Sequence, residues 1–250
     1  MRDTSVTLAD GRSLAYTDLG PPSSPVVMYC HGAPSTRLDL ALFQDALAAL
    51  DVRFVAADRP GYGGSSPQPG RRREDWPADL AALADRLDVE RFAVLGLSSG
   101  GPYAVTCAAL LPDRVAAAAT VGGETDFGWP GAWVNYPENE GTLMRIGDEA
   151  KGIAWCEARY GADGSGFMEG GLGELAPADH AALEDEAFAT ALMTTVREAF
   201  RQGAGGYAQD VVVQGRPWSF DPGAIVAPVW IHHGEADTLT PIAHGRHTAN

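Results

Sequence analysis

Leu95-Gly96-Leu97-Ser98-Ser99-Gly100-Gly101 is the segment best equipped for chemistry. A serine hydroxyl becomes a useful nucleophile when a base takes its proton and fixed donors stabilise the oxyanion that its attack creates. Here the serine stands between glycines at 96 and 100, after the apolar run Phe92-Ala93-Val94-Leu95 and before a helical pattern over residues 99–111. A nucleophile on a tight strand-to-helix turn needs neighbours without side chains, because the chain folds back sharply there. The helix start that follows aims backbone N–H groups and a positive dipole end at the reacting centre. The competing reading is a phosphate-binding glycine turn. It fails in detail: Gly-x-Gly-x-x-Gly would need glycine at position 98, and Gly-Lys-Ser is absent.

The elements that must position Ser98 are legible as patterns. Val26-Val27-Met28-Tyr29-Cys30, Phe54-Val55-Ala56-Ala57, the run before Ser98 and Val229-Trp230-Ile231 are short and almost wholly apolar. Such runs fit strands buried on both faces of a parallel sheet. Residues 115–121 are an alanine-rich version. Helical patterns cover 38–50, 77–87 and 99–111, with Asp75 as a candidate N-cap before Pro77 and Pro112 as a stop. This alternation predicts an α/β fold, a doubly wound and mostly parallel sheet with right-handed crossovers. At the N-terminus, Val6 and Leu8 share a face and Asp10-Gly11 turns the chain. Leu14, Tyr16 and Asp18 then alternate with Ala15 and Thr17. That predicts an antiparallel hairpin with one wet face.

Residues 122–228 separate the last two strand patterns, far more than a crossover needs. Phe127, Trp129, Trp133, Tyr136, Met144, Trp155, Tyr160, Phe167 and Met168 crowd the first half of this stretch. Residues 161–173 are glycine-rich, and Phe188, Leu192, Val196 and Phe200 recur every four residues, as on an amphipathic helix. We expect a helical cap over 126–216, inserted after the sixth strand above the sheet's carboxyl edge, where ligands bind in such sheets. Residues 1–125 and 217–250 then form the core domain.

Four landmarks in order resemble the α/β-hydrolase superfamily. They are Cys30-His31-Gly32-Ala33-Pro34 after a buried strand, Asp58-Arg59-Pro60-Gly61-Tyr62-Gly63-Gly64-Ser65, the Ser98 turn, and His233-Gly234-Glu235-Ala236-Asp237. The resemblance implies an eight-stranded, mostly parallel sheet with a cap after strand six. It implies Ser98 as nucleophile, the backbone N–H groups of Ala33 and Ser99 as the oxyanion hole, and Asp237 as the acid of the triad, with Asp126 or Glu124 as alternative acid. It implies no metal and no organic cofactor. His31 and residues 58–65 match turns that shape the site rather than catalytic groups.

The family's triad histidine follows an eighth strand, and 13 residues follow Asp237 here (250 − 237). They include His244 and His247, expected on the surface of a helix over 241–249, while His232 and His233 belong to a strand end. The expectation is that the base lies beyond Asn250. The leading functional expectation is a serine hydrolase acting on an ester of a small to medium, partly apolar substrate. The alternatives are an aminopeptidase, with Glu138, Glu140, Glu169 or Glu174 pairing a substrate's amino terminus, a C–C bond hydrolase, and a non-catalytic ligand binder. Serine at position 98 argues against relatives that use aspartate there, such as epoxide hydrolases.

Composition narrows the classes. The 250 residues suit one domain with an insertion, and 45% hydrophobic against 20% charged residues is globular. A net charge of −15 repels phosphate backbones and anionic lipid, so a small-molecule substrate is expected and nucleic acid is not. Arg71-Arg72-Arg73, the one basic run, reads as a solvated loop. Three scattered cysteines make neither a disulfide framework nor a zinc site, and Cys30 and Cys107 fall in apolar runs. No apolar run approaches the ~18 residues of a membrane span, so a soluble, cytoplasmic protein is expected, with a homodimer left open.

Overall fold

A computed structural model describes residues 2–167 and 175–250. Met168, Glu169, Glu174 and the rest of the glycine-rich loop from 168 onward lie outside the described residues. The strands are β1 (Arg2–Thr7), β2 (Ser13–Leu19), β3 (Val26–Cys30), β4 (Arg53–Ala57), β5 (Phe92–Leu97), β6 (Val115–Val121) and β7 (Val229–His232). Among the described residues they form one seven-stranded sheet in the order β1-β2-β4-β3-β5-β6-β7, where the resemblance implied eight strands. β1 and β2 pair antiparallel, as do β2 and β4, and every other pairing is parallel.

The central strands are buried as their apolar runs require: all of β4 is buried, and Met28 and Val94 are almost wholly inaccessible. The expected wet face of the hairpin fails at β2, where Leu14, Ala15, Tyr16 and Thr17 are all buried. β2 stands second in the sheet, and the turn after β4 covers it: Ala15 N–H donates to Ser65 Oγ at 3.0 Å.

The helix expected over 38–50 is instead a 3₁₀ turn, Arg37–Ala41, and the five-residue α1 (Gln44–Ala48). Leu40 is the buried anchor there, while Phe43 and Leu50 remain exposed. α2 (Trp76–Arg86) and α3 (Gly100–Leu110) follow the sequence patterns within a residue or two. Leu80, Leu83, Tyr103 and Cys107 on these two helices close a core against Met28, Val55 and Val94 of the sheet. The three cysteines are buried free thiols.

Between β6 and β7 the chain is helical: α4 (Glu138–Ile146), α5 (Glu149–Tyr160), α6 (Pro177–Leu183), α7 (Glu186–Ala199) and α8 (Gly205–Gln214). This segment has its own apolar core, in which Tyr160, Phe167, Phe200 and Tyr207 stack edge-on or tilted at centroid distances of 5.2–6.4 Å. α9 (Ile242–Thr248) follows β7.

The basic run is not solvated. Arg71 and Arg73 are each 2% exposed, and of the three only Arg72 reaches water. Acceptors on α8 are the reason: Arg73 donates to the backbone carbonyls of Val213 and Gln214, and Arg71 to the carboxylate of Asp210. Asp210 is fully buried and accepts hydrogen bonds from Arg59, Arg71, Tyr62 at 3.2 Å, Tyr103 at 2.7 Å and Gln214 at 2.9 Å. The two guanidiniums hold its carboxyl far below the usual carboxylate range despite full burial. This cluster bolts the helical segment to the loops after β4 and to α3.

Candidate active site

Ser98 occupies the first position after β5 and has φ +52°, in the left-handed region that few non-glycine residues adopt. Both flanking glycines are required by close backbone approach. A Cβ on Gly96 would strike the carbonyl of Gly100, and one on Gly100 would strike the carbonyl of Cys30 at the end of β3. Three hydrogen bonds pin the turn: Ser98 N–H donates to Val121 O at 2.9 Å, and Ser98 O accepts from Gly101 N–H at 2.8 Å and Glu124 N–H at 3.3 Å. The side chain is thereby lifted off the strand, and Ser98 lines three cavities.

The largest of these, about 640 Å³, has Asp237, Gly122 and Leu239 among its other walls. Asp237 Oδ1 accepts from the backbone N–H of Leu239 at 3.0 Å and Thr240 at 2.8 Å. This turn fixes the carboxylate and leaves Oδ2 towards Gly122 and, at 3.5 Å, His233 Nε2. The second cavity, about 360 Å³, is mainly apolar, with Leu42, Phe43, Phe188, Leu192 and Val196 in its walls. The third, about 70 Å³, combines Ala33 and Ser98 with Glu124, Tyr136 and Glu140. Gly32 lies against Ser98, where a Cβ would be 3.5 Å from Ser98 Cβ. Ala33 lines the same cavity as Ser98, and Ser99 follows Ser98 as the N-cap of α3.

Asp126 does not join this group. Its Oδ1 accepts from Gly128 N–H at 2.8 Å and Trp218 N–H at 2.9 Å, and it lines none of the three cavities. Glu124 does join it. Burial raises its carboxyl to about 7, and its Oε1 accepts from Tyr136 OH at 2.7 Å.

None of the six histidines lines a Ser98 cavity among the described residues. His31 is wholly buried, accepting Arg59 N–H at Nε2 (3.1 Å) and donating from Nδ1 to Gly32 O (2.7 Å), which shapes the turn that carries Ala33. Asp58 likewise braces its turn, accepting from Arg37 and Gly64. His244 corrects the surface expectation: it is fully buried. Its Nδ1 accepts from Thr125 N–H at 3.2 Å and its Nε2 donates to Ala132 O at 2.9 Å, and burial lowers it to about 4. His247 stacks on Trp129 at 4.0 Å, with Nδ1 2.9 Å from Thr125 Oγ1. His233 donates from Nε2 to Thr240 O at 2.7 Å. These rings are committed to joining α9, the loop after β6 and the 3₁₀ turn Pro130–Trp133. The helical pattern of 241–249 gave no sign of this, because the partners lie more than a hundred residues away.

The profile of the alpha/beta hydrolase fold matches residues 25–154, and the chain belongs to that family. It is 34% identical over 119 residues to the non-heme chloroperoxidase of Streptomyces lividans, which covers 47% of this chain and 43% of that protein. It is 34% identical over 140 residues to the 2-hydroxy-6-oxononadienedioate/2-hydroxy-6-oxononatrienedioate hydrolase of Cupriavidus pinatubonensis, covering 53% and 47%. The chain thus spans about half the length of the curated relatives it matches. A thermophilic esterase from Thermogutta terrifontis superposes with a TM-score of 0.71 at 22% identity, over 100% of this chain and 86% of that one. That last likeness is one of fold. Among the described residues no helix is long and apolar enough to cross a membrane.

Proposed function

We propose that this protein is a serine hydrolase that cleaves a carboxylic ester of a small to medium, partly apolar substrate through an acyl-enzyme on Ser98. The observation that carries the proposal is Ser98 at φ +52° on the β5–α3 turn, sharing one cavity with Asp237 and two with Ala33. Ser98 Oγ attacks the acyl carbon, and its proton passes to an imidazole seated in the cavity that Ser98 and Asp237 share. The Asp237 carboxylate, held by two backbone donors, orients that ring and stabilises its cationic form. The oxyanion sits on the N–H groups of Ala33 and Ser99, donors fixed before charge develops; one such donor is worth about 3–4 kcal/mol in the transition state. The imidazolium protonates the departing alkoxide, and water then releases the acid by the same path. The apolar cavity takes the hydrocarbon part of the substrate, and the helical segment 126–216 acts as the cap that forms its walls.

The test is hydrolysis of p-nitrophenyl butyrate by the 250-residue chain and by Ser98→Ala, each with and without added imidazole. Ser98-dependent hydrolysis that imidazole accelerates supports the assignment of nucleophile and base. Equal rates from the two proteins sink it. Full activity without imidazole moves the base to a histidine of this sequence.

A second reading, C–C bond hydrolysis, follows from the likeness to the Cupriavidus enzyme. Against a dianionic substrate of the kind in that enzyme's name stands the absence of any lysine or arginine from the described walls of the three cavities.

A further inference from the structure

The described walls of the three Ser98 cavities are charged with one sign only: Asp39, Glu124, Glu140, Asp179, Glu235 and Asp237. The smallest cavity concentrates this. Glu124 is 6% exposed, yet its Oε2 is buried with no hydrogen-bond partner among the described residues. Among the described residues Oε1 accepts only from Tyr136. Glu140, on the facing helix α4, accepts a long 3.4 Å bond from Tyr207 OH. A buried carboxylate without donors or a cation is costly, and an orphaned oxygen in a cavity wall calls for a bound donor.

We propose that the chamber of Glu124, Tyr136 and Glu140 is a recognition site for a primary ammonium group on the substrate, so that the preferred esters carry an amine two or three bonds from the scissile carbonyl. This rests on the Ser98 hydrolase reading. An ammonium brings three donors and a positive charge, which matches one orphaned oxygen, a weakly paired neighbour and two acids. A hydroxyl would bring one donor and leave the second carboxyl unanswered. The volume of about 70 Å³ admits a small polar head and excludes a ring. Ser98 and Ala33 belong to the same walls, so a group held there has its neighbouring carbonyl at the nucleophile.

The charged groups acting on Glu124 are Glu140 and Asp210, which keep its proton on, and Arg73, which opposes them; Tyr136 donates to it. Burial outweighs all of these and sets its titration near 7. An ammonium ligand stabilises the ionised form, so its binding strengthens as pH rises through that value and fades below it.

The experiment is binding to the Ser98→Ala variant, where no turnover interferes, measured by calorimetry at pH 8. β-Alanine methyl ester is compared with its isosteres methyl 3-hydroxypropionate and methyl butyrate, and alanine methyl ester with methyl lactate and methyl isobutyrate. At least one amino ester should bind about tenfold tighter than both isosteres, as a charge-assisted bond warrants. Adding Glu124→Gln should erase that advantage. Should that variant melt early, Glu140→Gln and Tyr136→Phe read the same chamber. If neither amino ester outbinds its isosteres, or Glu124→Gln and Glu140→Gln both keep the preference, the proposal is overturned. Ammonium preference without Ser98-dependent hydrolysis would keep the chamber and remove the hydrolase reading. Hydrolysis without the preference would do the reverse.

Discussion

Asp210 and Glu124 are both buried carboxyls, and the protein treats them in opposite ways. Asp210 sits among two guanidiniums, two phenols and an amide, and is held ionised far below the usual range. Glu124 has one phenol and an orphaned oxygen, and is raised to about 7. Burial is common to both, so the difference lies in the donors the fold supplies. A carboxylate with every lone pair answered is a rivet; one left half-answered in a cavity wall is available to something that binds. The Arg59–Asp210–Arg71 cluster therefore belongs to architecture, although its arginines sit in a basic run and a family landmark. The chamber at Glu124 shares its walls with Ser98, although no motif marks it.

Four substitutions test this contrast. The largest effect is expected at Ser98. Ser98→Ala should lower ester turnover about 10⁴-fold, with imidazole present, and leave the melting temperature unchanged, since it removes no core volume. A variant that melts early but retains turnover would reverse the division of labour between the two regions. Next comes Asp210→Ala, which strands two buried cations. It should cost about 3–5 kcal/mol in urea unfolding. A loss below about 1 kcal/mol would show that the arginines find other partners.

Glu124→Gln should do the opposite and stabilise the protein above pH 7, by up to about 3 kcal/mol. The sign follows from its raised pKa. Between the ordinary glutamate value and about 7 the native state holds a proton that the unfolded state has released, so wild-type stability falls as pH rises through that window. Asp210 has a depressed pKa, so its contribution is present above the ordinary aspartate value and fades only on acidification below it. Urea midpoints of the two variants across pH 4–9, each measured against wild type, separate the cases. A Glu124→Gln variant with no pH-dependent advantage would mean that a donor answers Glu124. The smallest effect is expected at Asp126→Ala. Two backbone donors lose an acceptor there, which costs about 1 kcal/mol and leaves turnover untouched. A large loss of turnover would restore Asp126 as the acid in place of Asp237.

What the sequence determined by itself was whatever neighbours in the chain decide between them. Gly96 precedes Ser98 because the backbone of Gly100, four residues on, approaches too closely for any Cβ, and that steric demand is written where it acts. The apolar runs of β3, β4 and β5 announced a parallel sheet because both faces of each strand are covered. The four landmarks in order announced the family. The tertiary structure alone decided the rest. It decided that Arg71 and Arg73 are buried, because the acceptors that answer them, Asp210 for the first and the carbonyls of Val213 and Gln214 for the second, lie some 140 residues away. It turned His244 from a surface residue into a bolt through Thr125 and Ala132. It placed Asp237 on the Ser98 cavity and spent Asp126 on two loop amides. It left Glu124 half-partnered in a cavity that Ser98 also lines. Each of these turns on desolvation and on which donors reach a buried group. Those quantities belong to a volume of space filled by distant segments, and no stretch of adjacent residues carries them.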